Sequence, residues 1–244
     1  MAEREEIIQQ IRKALGHPSN SPLVISKIAI RPPDQPLTDI MPVIEKEELL
    51  PKFEAELMGM AGIPHRAADR QALGEILQAI LSKAKASSVI LSRNPLLAKL
   101  NLESLLRSWG KDVSLWASSA TADASPRLFA QTGFAAAVGI TGVEFALAET
   151  GSLVVTSLTE GTQLASVAPP VHIALYRRSQ LVASLDEVLQ RLPVPRDSSQ
   201  PLPGRSVVFI TGTSRTADIE QILIRGVHGP GEVHAILVED TCLE

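Results

Sequence analysis

The chain has 244 residues, 45% of them hydrophobic and 20% charged, with a net charge of -4 at pH 7. That balance is ordinary for a soluble globular protein, and the weak acidity together with only 3% aromatic residues argues against a nucleic-acid partner or a base-stacking surface. Cys242 is the one cysteine, which excludes an internal disulfide framework and a cysteine-ligated iron–sulfur cluster within the chain.

The N-terminus carries Glu3, Glu5 and Glu6 and lacks the apolar core of a signal peptide. No stretch of about 18 residues is both apolar and uncharged, so no membrane span is expected and the reading is cytoplasmic. Ile7, Ile8, Ile11 and Leu15 share one face of a short amphipathic helix that Gly16 ends. A helix this short is marginal alone, so it must dock on its own core or on another chain. Pro18, Pro22, Pro32, Pro33, Pro36 and Pro42 then make an extended connector. The expected division is 1–44 as N-terminal helix and proline-rich connector, and 45–244 as a single α/β domain.

Helices are expected over 45–59 and 69–84. A strand follows at Ser88–Ser92, then a helix over Pro95–Trp109 with Gly110 as its stop, then a strand at Val113–Ala117. Pro126 opens a further helix, and Ala135–Ile140 reads as a strand. Leu153, Val154 and Val155 form a buried strand, since β-branched residues suit a packed, pleated surface. Next come a strand at His172–Arg177, a helix at Ser184–Leu192, a polar loop over Pro193–Pro203, a strand at Val207–Ile210, a helix containing Ile219–Ile224, and a last strand at Val233–Val238. Strands alternating with helices predict a mostly parallel sheet flanked by helices.

Three tracts carry the candidate chemistry. In the first, Glu149 stands in an almost uncharged stretch directly before Thr150, Gly151 and Ser152. An ionised carboxylate is costly to bury without partners, so either the donors of that turn satisfy it or it acts on a ligand. In the second, the expected helix after Ile210 would place Thr213, Ser214, Arg215 and Thr216 at its N-terminus, where backbone N–H groups attract anions. Arg215 adds a fork suited to a carboxylate or phosphate. Asp218 and Glu220 could answer the helix dipole themselves, so plain capping stays open, and the glycine spacing is neither a Walker A loop nor a dinucleotide fingerprint. In the third, Pro169 and Pro170 lead into His172, while His228 sits in a Gly/Pro turn and His234 opens the last strand. The histidines lack paired ligand spacing, so no metal is expected; His172 and His228 remain candidates for a ligand pocket.

Taken together, the stretches 139–155, 164–176 and 211–230 resemble the lactate-utilisation domain family, in order and spacing, over about residues 85–240. The resemblance implies a sugar-isomerase/CoA-transferase-like α/β fold and a part in oxidising L-lactate to pyruvate with iron–sulfur partner proteins, with no cofactor in this chain. It also implies motif roles for Glu149, Thr150, Gly151, His172, Thr216, Asp218, His228, Gly229 and Pro230. Family members often carry a basic residue near Gln163; if that residue binds an anion in them, the neutral side chain here implies either weaker anion binding or the use of Arg215 or Arg177 instead. Two other functions are compatible with the residues. One is a stand-alone CoA-transferase-like enzyme with Glu149 as a covalent nucleophile, acting on a small carboxylate or other anion. The other is a scaffold module in which Glu149 is structural.

Overall fold

The structure, a computed structural model, describes residues 44–115, 126–192, 206–217 and 223–243. The chain divides into two units at Val43 and Ile44, and the described residues lie in the second. The helix and connector expected before Ile44, the loop over Pro193–Pro203, and Asp218 lie outside the described residues.

The chain runs α1 (Leu49–Gly59), β1 (Ile63–Ala67), α2 (Arg70–Lys83), β2 (Ser88–Leu91), α3 (Pro95–Lys99), α4 (Leu102–Ser108), β3 (Asp112–Leu115), α5 (Pro126–Ala135) and β4 (Val138–Thr141). It continues through β5 (Phe145–Leu147), β6 (Ser152–Thr156), α6 (Ser157–Glu160), α7 (Leu164–Val167), β7 (Val171–Tyr176), β8 (Leu181–Val182) and α8 (Leu185–Arg191). The last elements are β9 (Val207–Ile210), β10 (Arg215–Ala217), β11 (Leu223–Arg225) and β12 (Glu232–Val238).

Six strands form one sheet in the order β1-β12-β7-β4-β2-β3, and every neighbouring pair in it is parallel. Side chains alternate between its faces, and both faces are covered. Val89, Leu91, Ile140, Ile173 and Ile236 pack with Leu73 and Leu77 of α2 and Leu102 and Leu106 of α4. On the other face Ala174, Tyr176, Val233 and Leu237 pack with Phe53 and Leu57 of α1 and with Leu153 and Val155 of β6. That is why β4 and β7 are buried along their whole length and read as continuous apolar runs. A second sheet, β8-β5-β6-β9, carries the Leu153–Val155 strand.

Besides the short elements β5, β8, α6 and α7, which the sequence did not announce, the structure departs from the expected elements at three places. The long helix over Pro95–Trp109 is two helices, because Asn101 adopts a left-handed conformation with φ 52 between them. β1 escaped notice because Pro64 breaks a short, polar run; it is tolerated there since β1 is an edge strand. The third is the helix around Ile219–Ile224. Leu223–Arg225 is instead strand β11, paired antiparallel with β10 so that Thr216 faces Ile224. The hairpin is held by its surroundings: Ser214 N–H donates to Pro230 O at 2.9 Å and Gly226 N–H to Ser214 O at 3.0 Å. Thr213, Ser214, Arg215 and Thr216 therefore do not stand at the N-terminus of that helix.

One topological feature positions the functional chemistry. From β2 the chain steps to β3 on one side, then returns past β2 to β4 and moves on to β7 and β12 on the other. The strand order thus reverses between β2 and β4, and the carboxyl ends of strands at such a point form the crevice where open α/β sheets bind ligands.

Candidate functional site

A buried carboxylate occupies that point, and it is Glu160. Glu160 ends α6 and is fully buried. Ser92, the residue after β2, donates its hydroxyl to Glu160 Oε2, and Gly142, the residue after β4, donates its N–H to the same oxygen at 3.1 Å. Asn94 Nδ2 donates to Oε1, and Thr159 Oγ1 lies 3.2 Å from that oxygen. Four donors on one carboxylate oppose the effect of its burial, but burial dominates and holds its pKa above the usual carboxylate value. Gly142 is required here, since a Cβ would fall 2.2 Å from the Asn94 side chain. Asn94 in turn caps α3, its Oδ1 accepting from Leu96 N–H at 2.9 Å, with Pro95 at the first helical position.

Two clefts flank Asn94. One, of about 370 Å³, is lined by Ser92, Asn94, Asn101, Glu103 and Leu115 among others. The other, of about 270 Å³, includes Asn94, Lys99, Glu144, Thr159 and Arg177. Each contains two of the residues that hold Glu160.

Glu149 has a different setting. It is half-buried, its Oε2 accepts from Leu185 N–H at 3.0 Å, and its own N–H donates to Ala183 O at 3.1 Å. The carboxylate thus sits at the start of α8, beside the Ser184 cap whose Oγ accepts from Glu187 N–H. Thr150, Ser152 and Thr211 form a chain of hydroxyls, with contacts of 2.7 Å and 2.6 Å. Since Leu153 on β6 pairs with Ile210 on β9, the Thr150–Ser152 turn and the Thr211–Thr213 segment are neighbours. Both lie against the end of α1: Gly151 approaches Leu57 and Gly212 approaches Met60 so closely that a Cβ would meet their backbone atoms at 2.2 Å and 2.1 Å.

Thr213 is buried with its Oγ1 unpartnered. Ser214 meets the Gly/Pro turn through Pro230, and Gly231 N–H donates to Pro170 O at 2.9 Å. The second and third tracts therefore converge at the turn before β12. His228 is exposed in that turn, Arg215 is exposed on β10, and Thr216 belongs to the β10–β11 ladder. His172, second residue of β7, is fully buried. Its Nε2 lies 2.8 Å from Thr141 Oγ1, its Nδ1 has no partner, and burial, then the charge of His234, depresses its pKa to about 3. His172 is thus a neutral core imidazole with one ring nitrogen to spare. Gln163 Nε2 is likewise buried without a partner.

Sequence reasoning missed Glu160, Asn94 and His65. His65 Nε2 and His234 Nδ1 are 2.9 Å apart, and His234 approaches Glu232, which pairs with Lys83 at 2.8 Å. Burial, followed by the charge of His65, lowers the His234 pKa to about 4. The signal for Glu160 lay in the polar run Ser92-Arg93-Asn94-Pro95 after a strand, a hydrogen-bonding turn placed at the carboxyl end of a parallel sheet.

A family model described as the LUD domain matches residues 50–238. The chain is 30% identical to lactate utilization protein C of Halalkalibacterium halodurans over 69% of this chain and 70% of that protein. It is 28% identical to the protein of the same name from an Exiguobacterium species over 98% of this chain and 97% of the relative. A crystal structure of a DUF162 family protein from Deinococcus radiodurans superposes with a TM-score of 0.54 at 19% identity, covering 80% of this chain and 99% of the other. That likeness supports the α/β fold.

Proposed function

This chain belongs to the LUD domain family, and from that membership we propose that it is a non-redox subunit supporting the oxidation of L-lactate to pyruvate, working in the cytoplasm alongside iron–sulfur partner proteins. The observation that carries the reading is the match of residues 50–238 to the family, joined to relatives that bear the name lactate utilization protein C. Oxidising a 2-hydroxy acid removes two electrons, and these need a redox centre to receive them. The single cysteine is buried with its Sγ 3.4 Å from Ala67 O, and one thiol is fewer than a thiolate-held cluster takes, which supports assigning the redox centre to partners. Partners carrying thiolate-held clusters supply the acceptor in this reading, and this chain binds and positions. No helix among the described residues is long and apolar enough to cross a membrane.

The test is genetic with a chemical control. Deleting the gene from its native host should abolish growth on L-lactate while leaving growth on pyruvate intact, and re-expression should restore it. Undiminished growth on L-lactate in a strain with no second LUD-domain gene would overturn the proposal.

A further inference from the structure

We propose that the cleft beside Asn94 is a binding site for a small carboxylate anion, held by Lys99 and Arg177; the lactate-utilisation reading enters only in choosing which acids to test. The cleft opens at the carboxyl ends of three adjacent strands: Asn94 follows β2, Glu144 follows β4 and Arg177 follows β7. This is where an open α/β sheet presents its ligand crevice. Two of the side chains lining it are cationic and one is anionic. Lys99, at the end of α3, is exposed and makes no ion pair or hydrogen bond among the described residues. Arg177 is anchored at one end, its Nη2 donating to Asp240 at 2.5 Å, while its Nε is buried and has no partner. An unanswered N–H is costly, so the Arg177 side chain that lines the cleft has donor capacity beyond its Asp240 pair.

The anionic member of the cleft, Glu144, is already engaged. Its Oε2 accepts from Thr156 Oγ1 at 3.4 Å and lies 3.3 Å from Thr159 Oγ1; with Arg177 paired to Asp240, Lys99 is the cation lining the cleft that no carboxylate answers among the described residues. Gln180 fixes the rim, accepting from Arg177 N–H at 2.8 Å and donating to Val143 O at 2.5 Å. Leu96 and Val143 add an apolar wall suited to a methyl group. Pockets for drug-sized ligands run from roughly 300 to 1,000 Å³; at about 270 Å³ this one suits an acid of a few carbons, with the other carboxylate oxygen of Glu144, Oε1, open to a hydroxyl beside the acid's carboxylate.

Calorimetric titration of the full-length protein with L-lactate, pyruvate and inorganic phosphate tests the site. Saturable binding of L-lactate or pyruvate at one per chain is expected. Lys99→Met should weaken it by about tenfold or more, with an unchanged melting temperature because Lys99 is exposed and unpaired, while Lys52→Met on α1 should leave affinity as it was. Absence of saturable binding by either acid, binding of phosphate in preference to both, or full affinity in Lys99→Met would each overturn the site. The two proposals fail separately: no acid binding in a protein whose deletion still abolishes lactate growth sinks the cleft alone, and acid binding in a protein dispensable for that growth sinks the metabolic role alone.

Discussion

Two glutamates eleven positions apart show how differently one residue type can be employed. Glu149 gives an oxygen to the start of α8, and a Gln carboxamide oxygen can take over that role. Glu160 receives N–H donors on both oxygens, from Asn94 on one and Gly142 on the other. A protonated carboxyl could still accept at both positions while donating to a hydroxyl, but an amide nitrogen cannot accept at all. Glu160→Gln therefore sets a donor against a donor in a sealed site. It should lower unfolding stability by about 2 kcal/mol, whereas Glu149→Gln should change it by less than about 1 kcal/mol; urea unfolding of the two variants measures both. Glu149 drew attention in the sequence because its neighbours are apolar. Glu160 lies among Ser157, Thr159, Gly161 and Thr162 and reads as a solvated turn residue. Its burial comes from Ser92 and Gly142, which are distant in the chain, so nothing local announces it.

At the scale of elements, those with an unbroken apolar rhythm and a clear stop were legible, and those set by neighbours were not. α2 has Asp69 as its cap, accepting from Ala72 N–H at 2.8 Å, and lies within a residue of the expected 69–84. β10 and β11 were misread because Ile222, Leu223 and Ile224 fit either period over so short a run, and the deciding hydrogen bonds come from Pro230 and Ser214. Glycine at position 151 is what allows the Thr150–Ser152 turn to lie on α1. Its φ of 66 is left-handed and a Cβ would meet Leu57 N at 2.2 Å. Gly110 shares the backbone strain, with φ 72, but has nothing within 4 Å of a Cβ. Gly110→Ala should cost about 1 kcal/mol, for conformation alone, and Gly151→Ala about 3 kcal/mol or more, for conformation plus collision with a helix backbone. Equal melting temperatures for the two variants would show that α1 yields to the added carbon, and that the Gly151 contact does not fix the turn.

For the molecule as a whole, α/β alternation disclosed the fold class, but the order of strands could not be read, because pairing across a sheet is not written in any one segment. That order buries His172 in the centre of the sheet, between β4 and β12, and it gives the protein a definite response to acid. The folded-state pKa of His172 is depressed from 6.5 to about 3 and that of His234 to about 4. A depressed pKa means stability that is present above the unfolded value and lost as pH falls toward the folded one, since the unfolded chain takes up protons that the core refuses. Glu160 works in the opposite sense: its pKa is raised, so its favourable share is present at low pH and lost as pH rises through the folded value, offsetting part of the histidine effect. Below pH 6.5 the histidines prevail, because three are depressed, His65 by burial as well, and one carboxyl is raised. Between pH 6.5 and pH 4.5 His172 alone should remove about 2–3 kcal/mol. His172→Gln supplies the control, because it deletes the titrating group while leaving a side chain able to reach Thr141. The variant should be the less stable protein at pH 7.5, and its disadvantage should shrink by about that same 2–3 kcal/mol as urea unfolding is repeated down to pH 4.5. A stability gap that stays constant across the range would mean that His172 titrates in the folded protein much as it does in water, and that the core around Thr141 admits solvent.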